Sequence, residues 1–355
     1  MTTFTPPRGQ DASLEEQEER DEREERVDSG DDSVEMTVRD AIALALREEL
    51  KADEHVFLMG EDIGAYGGSY VVTKGFFEEF GVERVRDTPI AESVIVGAAI
   101  GAAMGGMKPI VEMMTINFSL LAMDQIVNHA AKLLYMSGGQ VNVPIVLRMV
   151  TGGGSQLGAQ HSQNLEAVYA RVPGLKVVCP ATPYDALGLM REAVQEANPY
   201  IFVEHSLLYR TKGRVPKAYY TVPSGKSVVR RPGNDVTLVG YLRSAVLNLE
   251  AAEILAKDGI EAEVIDLRSL RPLDLEPVFA SVERTNRIVV SEDAWLTGGI
   301  SSEITAQVQG RCFDFLDAPV QRVNGADVPA PYSRELEGLA YPNVGDILRA
   351  VRATL

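Results

Sequence analysis

The uncharged run from Ser93 to Met107 constrains the fold more than any other stretch of this chain. Its glycines, Gly97, Gly101 and Gly105, recur every four residues and so share one face of a helix. Three glycines weaken an isolated helix by about 1 kcal/mol each relative to alanine. A helix here therefore needs a compensating close contact with another backbone. Helix pairs inside membranes use the same spacing, but the run is shorter than the roughly 18 apolar residues that a span requires. Lys108-Pro109 then ends it. The segment reads as a buried interface helix of a soluble protein. Directly before it stands Asp87-Thr-Pro-Ile-Ala-Glu92. Pro89 reads as a turn and Ala-Glu-Ser as a helix start, which places Glu92 at a helix N-terminus against an apolar wall. Two readings of Glu92 follow. Desolvation favours a protonated carboxyl fit for acid–base work. The helix dipole favours the anion, in which case the residue only complements that dipole.

The chain has 355 residues, enough for two domains, and 45% hydrophobic residues to fill their cores. Its net charge of −17 argues against nucleic-acid binding. Much of that charge is local: residues 1–34 hold twelve Asp or Glu against four Arg. This acidic tail has too few apolar side chains to offset its own ordering entropy, so it reads as disordered or as a charged helix without a core. It has no apolar core of a signal peptide and is too acidic for a transit peptide. Cys179 and Cys312 are the two cysteines, far apart and without metal-ligand spacing, which fits a reducing, cytoplasmic compartment.

Structure is expected to begin near Met36, with a helix to Leu50 capped by Thr37. Strands are expected at 56–60, 109–114, 143–150, 175–180 and 200–204, with a helix at 184–196. This alternation implies an α/β domain with a mainly parallel sheet. Residues 211–234 lack periodicity and read as a linker. A second α/β domain follows, with strands at 235–241, 263–266 and 287–292 and helices at 244–258 and 275–282. The expected boundaries are 1–34 for the tail, 35–210 for the first domain, 211–234 for the linker and 235–355 for the second domain.

Functional groups in open α/β sheets collect at the carboxyl ends of the strands. Glu61, Glu92 and the loop Thr151-Gly-Gly-Gly-Ser-Gln-Leu-Gly-Ala-Gln-His-Ser162 all fall there. The loop lacks the Walker lysine and the dinucleotide spacing, so it reads first as a flexible loop that presents His161. Of the four histidines, His161 alone sits on such a loop, where catalytic groups concentrate. His55, His129 and His205 read as structural or exposed. Phe118 follows a strand; it either stacks on a planar ligand or fills the core.

These residues carry a resemblance. Gly60-Glu-Asp62, Asp87-Thr-Pro-Ile-Ala-Glu92, Asn117-Phe-Ser119 with Asp124-Gln125, Gln160-His-Ser162, Pro173-Gly-Leu-Lys-Val-Val178 and Asp266-Leu-Arg-Ser-Leu-Arg-Pro-Leu-Asp274 together resemble the beta subunits of the pyruvate dehydrogenase (acetyl-transferring) component of 2-oxoacid dehydrogenase complexes. These are thiamine-diphosphate enzymes at the step from glycolysis to acetyl-CoA. The resemblance runs from about Met36 to the C-terminus. It implies a transketolase-like pyrimidine-binding domain followed by a transketolase C-terminal-like domain. It also implies that Glu92 shares a proton with the cofactor's pyrimidine ring. Phe118 would stack on that ring, Ile90 would support the bent cofactor, and Glu61 would order the pyrimidine end. His161 would serve the reacting centre. The resemblance further implies a monovalent-cation (K⁺) site made by the backbone of Ile145, Ala193, Glu196 and Asn198.

The chain contains no Gly-Asp-Gly metal motif and no evident oxygen cluster for Mg²⁺. By resemblance, an alpha subunit supplies the diphosphate half of the site and its Mg²⁺ in an α₂β₂ heterotetramer. The Gly97/Gly101/Gly105 face becomes a tight subunit contact, and the second domain serves assembly and docking of the lipoyl acyltransferase core. The expected activity is oxidative decarboxylation of pyruvate with acetyl transfer to a lipoyl group. The alternatives are a branched-chain 2-oxoacid or acetoin dehydrogenase beta subunit, a non-catalytic assembly subunit, and a single-chain transketolase-like enzyme.

Overall fold

The computed structural model describes residues 32–355, so the acidic tail expected at 1–34 lies outside the described residues except for its last positions. Ser33 and Val34 already belong to the first strand, β1 (Ser33–Thr37). The helix Val38–Ala52 follows. Val38, Ala41, Ile42, Ala45, Leu46 and Leu50 form its buried stripe, and each large aliphatic side chain there contributes about 1.5–3 kcal/mol. The Thr37 side chain accepts the Asp40 amide at 3.1 Å, a cap worth about 1 kcal/mol.

β2 (Val56–Gly60), β3 (Val85–Asp87), β4 (Lys108–Met113), β5 (Val146–Thr151), β6 (Lys176–Val178) and β7 (Tyr200–His205) run parallel in one sheet. The helices Val38–Ala52 and Pro183–Gln195 share an apolar cluster on one face. The helix Glu92–Met104 buries Ile95, Val96, Ala99, Ile100 and Ala103 against the other. Its glycine face is only partly covered among the described residues: Gln125 packs its side chain over Gly97, while Gly101 has only open space beside its Cα.

The stretch expected as an aperiodic linker holds two strands. β8 (Lys212–Pro216) pairs antiparallel with β1. β9 (Val228–Arg231) edges a second sheet. Both are short, β8 being Lys-Gly-Arg-Val-Pro and β9 Val-Val-Arg-Arg, so neither carries an alternating apolar pattern. The second sheet continues with β10 (Val236–Gly240) and β11 (Ala262–Asp266). The chain then returns to the first sheet, where β12 (Ser269–Arg271) pairs antiparallel with β6. β13 (Ile288–Trp295) and β14 (Gln321–Gly325) complete the second sheet. The strand orders are β12-β6-β7-β5-β4-β2-β3 and β14-β13-β10-β11-β9. The two units therefore interlock, and one apolar cluster joins Met149 and Val177 of the first to Tyr241, Ile265 and Val308 of the second.

Buried polar groups tie the same seam. Glu166 accepts from the Thr151 hydroxyl at 2.9 Å and lies 3.1 Å from the Tyr241 hydroxyl. Tyr241 also lies 2.9 Å from Glu292, which takes the amides of Ile300 and Ser301 and the side chain of Asn324. One phenol proton cannot serve two carboxylates, so the arrangement is complete only when Glu166 carries a proton. Burial pushes the Glu166 carboxyl up to about 7; Glu292 adds to the rise, and bonds from its own amide, Thr151 and Tyr241 offset only part of it. Between the unfolded value of 4.5 and about 7 the folded state holds a proton that the unfolded chain has released. Stability contributed here falls as pH rises through that window, by about 3 kcal/mol in all. We expect Glu166→Gln to melt higher than wild type at pH 8 and to lose less stability between pH 6 and 8. Parallel melting curves for the two proteins across that range would contradict the assignment.

Candidate active site

The carboxyl ends of β3, β2, β4 and β5 lie side by side, and the segments leaving them carry Glu92, Glu61, Phe118 and His161. Glu61 follows the last residue of β2 directly. It is buried, and one of its carboxylate oxygens has no hydrogen-bond partner among the described residues. Burial raises its pKa, and the charges of Glu92 and Asp62 raise it further. Glu92 opens its helix as expected, with Ala91 as cap, and only 6% of it is exposed. Its side chain makes no hydrogen bond or ion pair among the described residues. Two carboxylates thus stand side by side at this end of the sheet with no ion-pair partner among the described residues. Ile90, in the turn before Glu92, is 80% exposed.

Phe118 and His161 meet edge to face, with ring centroids 5.2 Å apart. Asn117 joins the two segments that hold them. Its carbonyl oxygen accepts the backbone and side-chain N–H groups of Gln163 at 3.1 and 3.0 Å. Ser119 bonds the buried Tyr169 hydroxyl beneath. Phe118 is half-buried, so it is not a core residue, and its open side is available to a flat ligand. The His161 ring forms no side-chain hydrogen bond among the described residues, which leaves both nitrogens to a substrate. The other histidines differ. His55 and His129 are exposed beside Asp53 and Asp124. His205 is buried and bonds Asp293 at 3.1 Å.

The structure differs from the sequence reading at the glycine-rich loop. It is tethered to the second unit, and two of its amides are already occupied. Gly154 and Gln156 both donate to the carboxylate of Glu337, a buried residue of the second unit.

The carbonyls expected for a monovalent cation lie elsewhere. Ile145 precedes β5 and Asn198 precedes β7, so both stand at the amino ends of the strands, on the edge opposite Glu92. Ala193 and Glu196 end the neighbouring helix, where the dipole favours a cation. The Ile145 carbonyl already accepts the Tyr200 amide at 2.9 Å, and Lys176 bonds the Glu196 side chain.

Sequence reasoning missed a buried ion cluster beneath the site. Arg148 of β5 forks onto Glu204 at 2.8 and 2.9 Å and reaches Glu112 at 2.6 Å, and Tyr209 donates to Glu204 at 2.8 Å. A signal was present, since each of these charges interrupts an apolar strand run in which an unpaired charge is prohibitively costly. The Glu112 side chain packs against the backbone of Gly68, in the loop that follows Glu61.

Among the described residues no group of three or more His, Cys, Asp or Glu is arranged to hold a metal ion. No described helix is long and apolar enough to cross a membrane. The family described as transketolase, pyrimidine binding domain matches residues 34–212, and that described as transketolase, C-terminal domain matches 225–347. A solved structure named as a split-gene transketolase, inactive beta4 tetramer, superposes with a TM-score of 0.73 at 23% identity, over 90% of this chain and 98% of the other. That likeness concerns the fold. Curated relatives are closer. The pyruvate dehydrogenase E1 component subunit beta-2, mitochondrial, of Oryza sativa subsp. japonica is 49% identical over 90% of this chain and 86% of its own. The pyruvate dehydrogenase E1 component subunit beta of Rickettsia conorii is 46% identical over 90% and 98%. That of Rhizobium meliloti is 46% identical over 92% and 71%. With two transketolase domains in this order and such identity along nearly its whole described length, the chain belongs to the family of pyruvate dehydrogenase E1 component beta subunits.

Proposed function

We propose that this chain is the beta subunit of a thiamine-diphosphate-dependent pyruvate dehydrogenase, which decarboxylates pyruvate oxidatively and passes the acetyl group to a lipoyl group. The observation that carries this reading is the buried Glu61–Glu92 pair at the strand ends, which has no hydrogen-bond or ion-pair partner among the described residues. An aminopyrimidine offers both a ring nitrogen and an N–H donor, which fits an unpartnered carboxylate oxygen and a neighbouring carboxyl. When bound, thiamine diphosphate supplies a nucleophilic thiazolium carbon and an electron sink. Glu92 holds a proton at its carboxyl oxygen for the pyrimidine ring nitrogen, and its apolar surroundings keep water from competing. Glu61 orders the same end of the site. Phe118 would offer the cofactor an aromatic face, and Ile90 an apolar surface. His161 stabilises charge or moves a proton at the reacting centre.

The same reading assigns the diphosphate and its Mg²⁺ to an alpha subunit. The open part of the glycine face suits that partner, because Val94 and Met104 of the same helix and Leu121 of the turn packed against it are exposed. Apolar surface of this extent marks a protein contact, and glycines allow a second helix to approach closely. An α₂β₂ assembly, a K⁺ ion on the carbonyls of Ile145, Ala193, Glu196 and Asn198, docking of the acyltransferase core and a cytoplasmic setting complete the proposal. Cys179 and Cys312 are both free and buried, which suits a reducing compartment. The relatives named above are pyruvate dehydrogenase subunits, and the intact acidic pair weighs against a purely structural subunit.

Co-expression with an alpha subunit tests the reading. The pair is expected to co-purify and to prefer pyruvate over a branched 2-oxoacid by about tenfold or more in kcat/KM, while the isolated chain shows no thiamine-dependent turnover. A preference for the branched acid would overturn the substrate assignment, and full activity of the single chain would overturn the divided site.

A further inference from the structure

We propose that Glu337 is a positioning residue for His161, so that the second unit sets the geometry of the reacting centre directly. The loop leaving β5 has left-handed backbone at Gly152, Gly154, Gln156 and Gly158. Such turns aim successive N–H groups inward and create a concavity for an anion. The anion here is internal. One oxygen of Glu337 accepts the Gly154 amide at 2.9 Å and the Gln156 amide at 3.1 Å, and the other accepts Gln156 at 3.0 Å. Only 3% of Glu337 is exposed. Two tyrosines of the same segment complete the clamp. Tyr341 donates to the carbonyl of Ser162, next to His161, and its ring lies where a side chain on Gly153 would stand. Tyr332 covers Gly158 in the same way. The loop therefore has two fixed points, at 154–156 and at Ser162, and His161 lies between them. Its Phe118 contact then follows from a loop held in place rather than from a free one.

Loss of the carboxylate frees the Gly154 and Gln156 amides and releases the first fixed point, so the imidazole samples positions away from the reacting centre. This inference rests on the role given to His161, and the experiment separates the two. Glu337→Ala, Glu337→Gln, His161→Ala and the Glu337/His161 double variant are assembled with the alpha subunit and assayed with pyruvate. Glu337→Ala is expected to lower kcat about tenfold with KM changed less than about twofold. Glu337→Gln keeps an oxygen able to accept both amides, assembles normally, and is expected to lose less than about threefold. In the His161→Ala background Glu337→Ala is expected to cost less than about twofold more, because its effect passes through the missing ring. A merely structural role would not produce that non-additivity. Full multiplication of the two losses, or an unchanged kcat in Glu337→Ala while His161→Ala is impaired, overturns the clamp and leaves the His161 assignment standing. A silent His161→Ala overturns both.

Discussion

Glu92→Gln leaves the complex assembled and lowers kcat with pyruvate by about 10²–10³-fold. The glutamine keeps the size of the side chain and its place at the first position of the helix Glu92–Met104. It removes the exchangeable carboxyl proton. In the wild type that carboxyl lies beside Glu61, whose pKa is raised by burial and by the charge of Glu92. The same substitution relieves repulsion between two buried acids, so the variant is expected to be at least as heat-stable as the wild type. Loss of activity without loss of stability is the signature of a group whose cost is functional. Turnover within a factor of three of wild type would remove Glu92 from the chemistry.

The second large effect concerns stability. Arg148→Met is expected to destabilise the fold by about 3–5 kcal/mol, which lowers the melting temperature by about 5 °C for a chain of this length. Glu112 and Glu204 share this single guanidinium, and all three side chains are nearly inaccessible. Burial already raises the Glu112 carboxyl despite the arginine. Burial alone would push the arginine down, and Glu204 and Glu112 outweigh it. Without Arg148 two acids face each other in a dry interior. Adding Glu112→Gln and Glu204→Gln to Arg148→Met is expected to recover most of the loss, since a neutral cluster has no charge left to desolvate. Differential scanning calorimetry of the single and triple variants decides the matter. A single variant that melts within 2 °C of wild type would mean that water, not the arginine, satisfies these acids.

Local signals made much of the architecture legible. The helix Val38–Ala52 shows its stripe and its cap within a short window of sequence, and the helix Glu92–Met104 announces its start through Pro89 and Glu92. The central strands are apolar runs bounded by turn residues, as buried parallel strands are. What escaped depends on distant partners. β1, β8 and β9 are polar and exist because each finds an edge to pair with. β12 has only three residues and belongs to the sheet of the other unit. At the site, chemistry-bearing residues were legible by type and by their position after strands. The Glu337 clamp was not, because its carboxylate stands 183 residues from Gly154 in sequence, and nothing in an isolated Glu-Leu-Glu-Gly run distinguishes it from an exposed helix.

The loan of β12 to the larger sheet bears on how a growing polypeptide acquires its shape. Until residue 271 has left the ribosome, β6 has a bare outer edge, and bare edges pair with whatever strand is near. At about 5–20 residues per second the stretch from Gly240 to Arg271 takes a few seconds to appear. A truncated product ending near residue 234 would keep that edge permanently. Such a fragment is expected to aggregate instead of behaving as a free-standing module.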